Sequence, residues 1–109
     1  MVAVGGNRNG GKWIRPHKRR AIYSRDGFAC VYCSESVEIR ATATLDHLVP
    51  RELGGTNHES NLVTCCFPCN CAKQDLSIRS WFVVLRDRGV DTDKVGPRIR
   101  RLTRKSLKR

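Results

Sequence analysis

The chain has 109 residues, enough for one compact domain and too few for two cores of ordinary size. Hydrophobic residues make up 39% and aromatic residues 6%, lean for a deep apolar core, so the six cysteines are candidates for holding the fold together. The net charge of +11 points to a polyanionic partner, and no run approaches the roughly 18 apolar residues of a membrane span or the core of a signal peptide. The expected setting is therefore the cytoplasm, of a bacterium or a phage-infected host, where thiols stay reduced and bind metal.

Residues 1–12 are rich in Gly and Asn without periodicity and read as a flexible arm. Pro16 suits the first turn of a helix that turns Ile22, Tyr23 and the later Phe28 inward and stops near Asp26-Gly27. A cysteine knuckle follows at Cys30-Val-Tyr-Cys33. Residues Val37 through Val49 predict two short strands or a hairpin, closed by Pro50 and Gly54-Gly55. Asn61-Leu62-Val63 opens a second ordered stretch into Cys66-Phe-Pro-Cys69, and residues 70–74 begin a helix. Ser77 caps a further helix over 78–88, with Trp81, Phe82, Val84 and Leu85 inside and Gly89 as its stop. Beyond Pro97, Ile99 and Leu102 lie three apart among basic residues, as a short helix or a segment that folds on binding. The domain boundaries read as a basic arm over 1–15, a folded domain over 16–96 and a basic tail over 97–109.

The positive charge is uneven. Residues 1–20 hold six basic side chains and residues 97–109 hold seven, neither with an acid, whereas residues 21–96 hold eight against all ten acidic ones. Two acid-free ends around a near-neutral middle favour contact with a phosphate backbone over mere solubility.

Cys30-x2-Cys33 and Cys66-x2-Cys69 supply the four soft donors of tetrahedral zinc, each pair spaced so that both sulfurs reach one ion. Four sulfurs leave no open position, so this zinc is expected to be structural. Cys65 and Cys71 are left over and read as packed free thiols.

Between the knuckles lie Leu45-Asp46-His47-Leu48-Val49-Pro50, Gly54-Gly55, Asn61-Leu62-Val63 and Cys69-Asn70-x2-Lys73. This order, over about residues 28–75, resembles the HNH endonuclease family. The resemblance implies an α+β single domain: a ββα-metal core stapled by the four-cysteine zinc, with flanking helices and basic flexible ends. It implies Asp46 and Asn70 as ligands of a catalytic divalent ion, His47 as general base, and Asn61 as the residue fixing the loop that carries the histidine. The chemistry of the side chains agrees. Hard oxygen donors from Asp46 and Asn70 suit magnesium or manganese, and His47, with a reference pKa of about 6.5, can be neutral and accept a proton. Asn70 stands where many family members have histidine, which leans the site toward oxygen-loving metals.

Neighbouring strand residues point to opposite faces, so Asp46 and His47 can serve one phosphate only from a strand end or a bulge. Of the other polar residues, His58 and His17 read as solvated, Trp81 and Phe82 as core, and Lys73 and Arg51 as exposed side chains within reach of a phosphate. The function expected is a metal-dependent endonuclease that nicks or cuts double-stranded DNA, alone or within a larger DNA-processing complex, in a setting such as phage packaging, restriction or a mobile element. The alternative is a zinc-stapled DNA-binding module or adapter without catalysis. The complete set Asp46, His47, Asn61 and Asn70 separates the two, because a binding module has no need of it.

Overall fold

The computed structural model describes residues 14–107. Most of the arm expected over 1–15, together with Lys108 and Arg109, lies outside them.

Helix α1 (Pro16–Arg25) begins on proline, whose missing N–H costs nothing there, and buries Ala21, Ile22 and Tyr23. It ends in a reversal in which the Phe28 N–H returns to the Tyr23 carbonyl at 2.9 Å. Gly27 and Phe28 both take left-handed backbone angles, φ 74° and 55°. That reversal swings Phe28 outward to 40% exposure, so it is not the core residue its apolarity predicts. Arg25 and Asp26 tie the helix end to the next layer. The Arg25 guanidinium grips Asp26 at 2.7 Å and the Leu62 carbonyl at 2.7 Å, while Asp26 accepts the Thr64 N–H at 2.8 Å.

The hairpin expected within 37–49 does not form. The Glu38 carbonyl collects the N–H groups of Ala41, Thr42 and Ala43, which folds residues 38–42 into turns and leaves one strand, β1 (Ala43–His47). Its antiparallel partner is β2 (Leu62–Cys66), in unbroken register from Ala43 opposite Cys66 to His47 opposite Leu62. Every residue of β2 is buried, because α1, α2 and α4 all pack on it. A strand covered on both faces reads in sequence as an apolar run rather than an alternation, as Leu62-Val-Thr-Cys-Cys66 does.

Helix α2 (Phe67–Lys73) follows β2 directly, with Pro68 in its first turn. Helix α3 (Ile78–Asp87) starts at Ser77, whose side chain accepts the Ser80 N–H at 3.2 Å, and buries Trp81 and Leu85. The indole N–H of Trp81 is buried without a hydrogen-bond partner, so the ring contributes packing area rather than polar contact. Helix α4 (Thr92–Thr103) carries Val95, Ile99 and Leu102 at spacings of four and three, which puts them on one buried face. It continues through Pro97. The segment 97–103 is thus part of the packed body rather than a separate tail, and Arg98 donates to the Val31 carbonyl at 2.8 Å, fastening α4 to the first knuckle.

The result is an α+β domain of four helices and a two-stranded antiparallel sheet among the described residues. The main core joins the first knuckle, β2, α3 and α4, and Ile14, Ile22 and Leu62 form a smaller cluster under α1. No described helix is long and apolar enough to cross a membrane.

Candidate functional site: a four-thiol cluster beside a polar cleft

The first knuckle closes on itself through Cys30 N–H to the Glu35 carbonyl at 2.8 Å and Ser34 N–H to the Cys30 carbonyl at 2.9 Å. It is pinned to β2 by Val31 N–H to the Thr64 carbonyl at 3.0 Å. The second knuckle is the β2–α2 junction. These anchors bring Cys30, Cys33, Cys66 and Cys69 together with all four sulfurs within 4.8 Å of one another. Cys33 and Cys66 sulfurs are 3.7 Å apart. A tetrahedral ion with Zn–S bonds of about 2.3 Å needs S···S edges of roughly 3.8 Å, so the cluster has the size and the donors of a metal centre. Sulfur hydrogen bonds from Cys65 and Cys69 lower the pKa of Cys30. Burial pushes the Cys33 thiol up to about 11. Of the two remaining cysteines, Cys65 is a packed thiol as expected, while Cys71 is exposed on α2.

An open cleft of about 230 Å³ is lined by Asp46, His47, Asn70, Glu52, Gln74 and Asp75, among others. His47 is the last residue of β1, and the ladder runs without a bulge through the dipeptide. Asp46 turns inward and is only 4% exposed. Tyr32 donates its hydroxyl to Asp46 Oδ2 at 2.5 Å, and the Lys73 ammonium stands 3.2 Å from Oδ1. Burial nevertheless raises the Asp46 pKa, outweighing the hydrogen bond from Tyr32 and the charge of Lys73. His47 turns the other way, its Nε2 2.7 Å from Asn57 Oδ1. With that oxygen as acceptor the ring hydrogen sits on Nε2, leaving Nδ1 as the basic nitrogen.

Asn61 is the keystone of the loop after His47. Its Oδ1 accepts the Val49 N–H at 2.9 Å, and its Nδ2 donates to the carbonyls of Val49 at 3.1 Å and Thr56 at 2.9 Å. Gly55 passes so close to Val49 that an added Cβ would stand 1.7 Å from the Val49 carbonyl oxygen. Asn70, on α2, donates its Nδ2 to Thr44 Oγ1 at 2.9 Å and toward the Leu45 carbonyl at 3.4 Å. Its nitrogen is thus held by β1, and the residue borders the cleft.

Lys73 departs from expectation. It is fully buried, bound to Asp46 and to the His47 carbonyl at 3.1 Å, and is therefore not an exposed grip on phosphate. The long stem lets a residue one turn beyond Asn70 reach back to the buried Asp46 carboxylate. His58 caps the short turn Glu59–Asn61, its Nδ1 accepting the Ser60 N–H at 3.1 Å. Trp81 is core, as its helix position implies. Two residues escaped sequence reasoning. Asn57 carries no signal, being one polar loop residue among several. Tyr32 does carry one, an aromatic between two metal-spaced cysteines, but its partner lies 14 residues away on another element.

Residues 30–76 match the family model for HNH endonuclease. The HNH segment thus spans both knuckles, the Asp-His dipeptide, the Asn61 loop and α2. Over 56 residues the chain is 38% identical to the CRISPR-associated endonuclease Cas9 of Actinomyces naeslundii, which covers 50% of this chain and 5% of that protein. The crystal structure of the Type II-C Cas9 enzyme from Actinomyces naeslundii aligns with 90% of this chain at a TM-score of 0.55 and 27% identity, covering 12% of the larger chain. The chain thus corresponds to a small part of each.

Proposed function

We propose that this HNH protein is a metal-dependent endonuclease that hydrolyses phosphodiester bonds of double-stranded DNA. The observation that carries the reading is the convergence of Asp46, His47 and Asn70 on one open polar cleft inside the HNH match. His47 is the general base: held through Nε2 by Asn57, it takes the proton of the attacking water at Nδ1. Asn61 fixes the backbone from Leu48 to Thr56 and so keeps the histidine at the rim. Asp46 and Asn70 offer two oxygens to a magnesium or manganese ion, a donor set that leaves positions for water and a phosphate oxygen. When bound, such an ion offsets charge developing on the phosphate and the leaving oxygen. The four-thiol cluster takes a structural zinc that braces β2 and α2, on which Asn70 stands.

Substrate contact falls to the exposed cations. Within the described parts of the two basic ends, Lys18, Arg19 and Arg98 are occupied by internal hydrogen bonds, while Arg15, Arg20, Arg100, Arg101, Arg104 and Lys105 face solvent and are available to the DNA backbone. The test is cleavage of supercoiled plasmid in magnesium or manganese by the wild type and by His47→Ala. The wild type is expected to cut, and the variant to bind DNA as tightly without cutting. Cleavage by the variant at the wild-type rate would remove His47 as base, and an inactive wild type in every divalent metal would favour the adapter.

A further inference from the structure

We infer that Tyr32, a residue of the first knuckle, is a positioning residue for the catalytic divalent ion, through which the four-thiol cluster sets the aim of Asp46. The inference rests on the reading of Asp46 as a ligand of that ion.

Tyr32 stands between Cys30 and Cys33, so its backbone is fixed wherever those two sulfurs are fixed. Its ring is 1% exposed and meets Trp81 edge to face, with centroids 5.5 Å apart and planes at 85°, which leaves the phenol one direction in which to extend. That direction ends on Asp46 Oδ2. The knuckle is tied to β2 by Val31 and Thr64, and β2 pairs with β1 at Val63 opposite Asp46, so the donor and the carboxylate are held by one rigid frame.

A carboxylate has about four lone-pair directions, of which Tyr32 takes one and Lys73 another. The two donors approach different oxygens. Together they restrain the carboxylate from rotating and leave about two of its directions unused, in a residue that lines the cleft. Without the phenol, Asp46 turns about its terminal bond and the ion loses a fixed donor. Partners that orient metal ligands in this way commonly change affinity or activity by about 10–100-fold when removed. A tyrosine that merely filled the core would transmit none of this to the ion, because phenylalanine fills the same space.

The test is Mn2+ binding without DNA, by titration calorimetry, on zinc-loaded wild type, Tyr32→Phe and Asp46→Ala, with zinc content by elemental analysis. Tyr32→Phe is expected to keep one zinc per chain and to bind Mn2+ about tenfold more weakly. Its plasmid cleavage is expected to recover toward the wild-type rate at saturating Mn2+, so that the loss lies in metal affinity and not in turnover. Unchanged Mn2+ affinity in Tyr32→Phe, with a weakened Asp46→Ala, would overturn the inference and leave the reading of the site intact. Unchanged affinity in Asp46→Ala would overturn both. A second measurement needs no change at Tyr32. In protein labelled at the tyrosine Cζ carbons, with Tyr23→Phe to assign the resonances, a Mg2+ titration is expected to shift the Tyr32 signal. A Tyr32 signal that stays fixed while Mg2+ binds would overturn the inference as well.

Discussion

Replacing Lys73 by methionine tests how strongly the centre depends on a buried charge. Methionine keeps most of the stem's packing, so the change removes the ammonium and little else. Lys73 is fully buried and spans Asp46 Oδ1 at 3.2 Å and the His47 carbonyl at 3.1 Å. Removing one partner of such a pair leaves an uncompensated buried charge, at a cost of about 3–5 kcal/mol. Against a total of roughly 5–15 kcal/mol for a domain of this size, that is about a fifth or more of the stability, and a fall in Tm of at least about 12 °C. The deficit also depends on pH. Burial already raises the Asp46 pKa above its ordinary value, and loss of Lys73 raises it further. The folded variant then holds the Asp46 proton more tightly than the unfolded chain does, so stability falls as pH rises through the window between the two pKa values. Thermal and urea unfolding by circular dichroism, without added magnesium or manganese, is expected to show a larger deficit at pH 8 than at pH 5. Lys73→Met with Asp46→Asn is expected to recover most of it. A single variant within about 1 kcal/mol of wild type at pH 8 would refute the argument, because that is the behaviour of a surface lysine.

Gly55→Ala is expected to destabilise by about 1–3 kcal/mol or more, since the new methyl meets the Val49 carbonyl, and to cost cleavage activity as the loop after His47 shifts; unfolding and plasmid assays on one preparation check both. Cys66→Ser is expected to lose its zinc and its cooperative unfolding together, read by elemental analysis and a thermal melt; a folded, zinc-free variant would contradict the staple. Neutralising Arg100, Arg101 and Arg104 to glutamine is expected to preserve the fold and to reduce the salt slope of DNA binding by up to about 3. Deleting residues 97–107, in contrast, removes Ile99 and Leu102 from the core and is expected to unfold the domain rather than merely weaken binding.

What could be read from the sequence was whatever depends on short spacing. The two Cys-x2-Cys pairs, the Ser77 cap and the Gly54-Gly55 turn each have their cause within a few residues, and each stands where the spacing puts it. The strand pairing did not follow, because residues 37–49 have β-branched content throughout and only the carbonyl of Glu38, by gathering three N–H groups, decides that 38–42 turn back. Lys73 was misjudged for a related reason. A lysine belongs at the surface unless a buried carboxylate calls it inward, and Asp46 lies 27 residues away on a strand whose inward face the alternation alone does not identify. Phe28 failed the opposite way, an apolar residue turned out by the local backbone reversal.

The β2–α2 junction gives the chain an uneven tolerance for changes of length. Between Cys66 and Lys73, eight consecutive residues present two thiols to one centre and Asn70 and Lys73 to the other. One residue inserted between Cys69 and Asn70 would rotate everything after it by about 100° and separate the two centres in a single step. Extra residues among 38–42 would only lengthen a surface turn. Length variation among related chains should therefore gather before β1 and be absent from this junction.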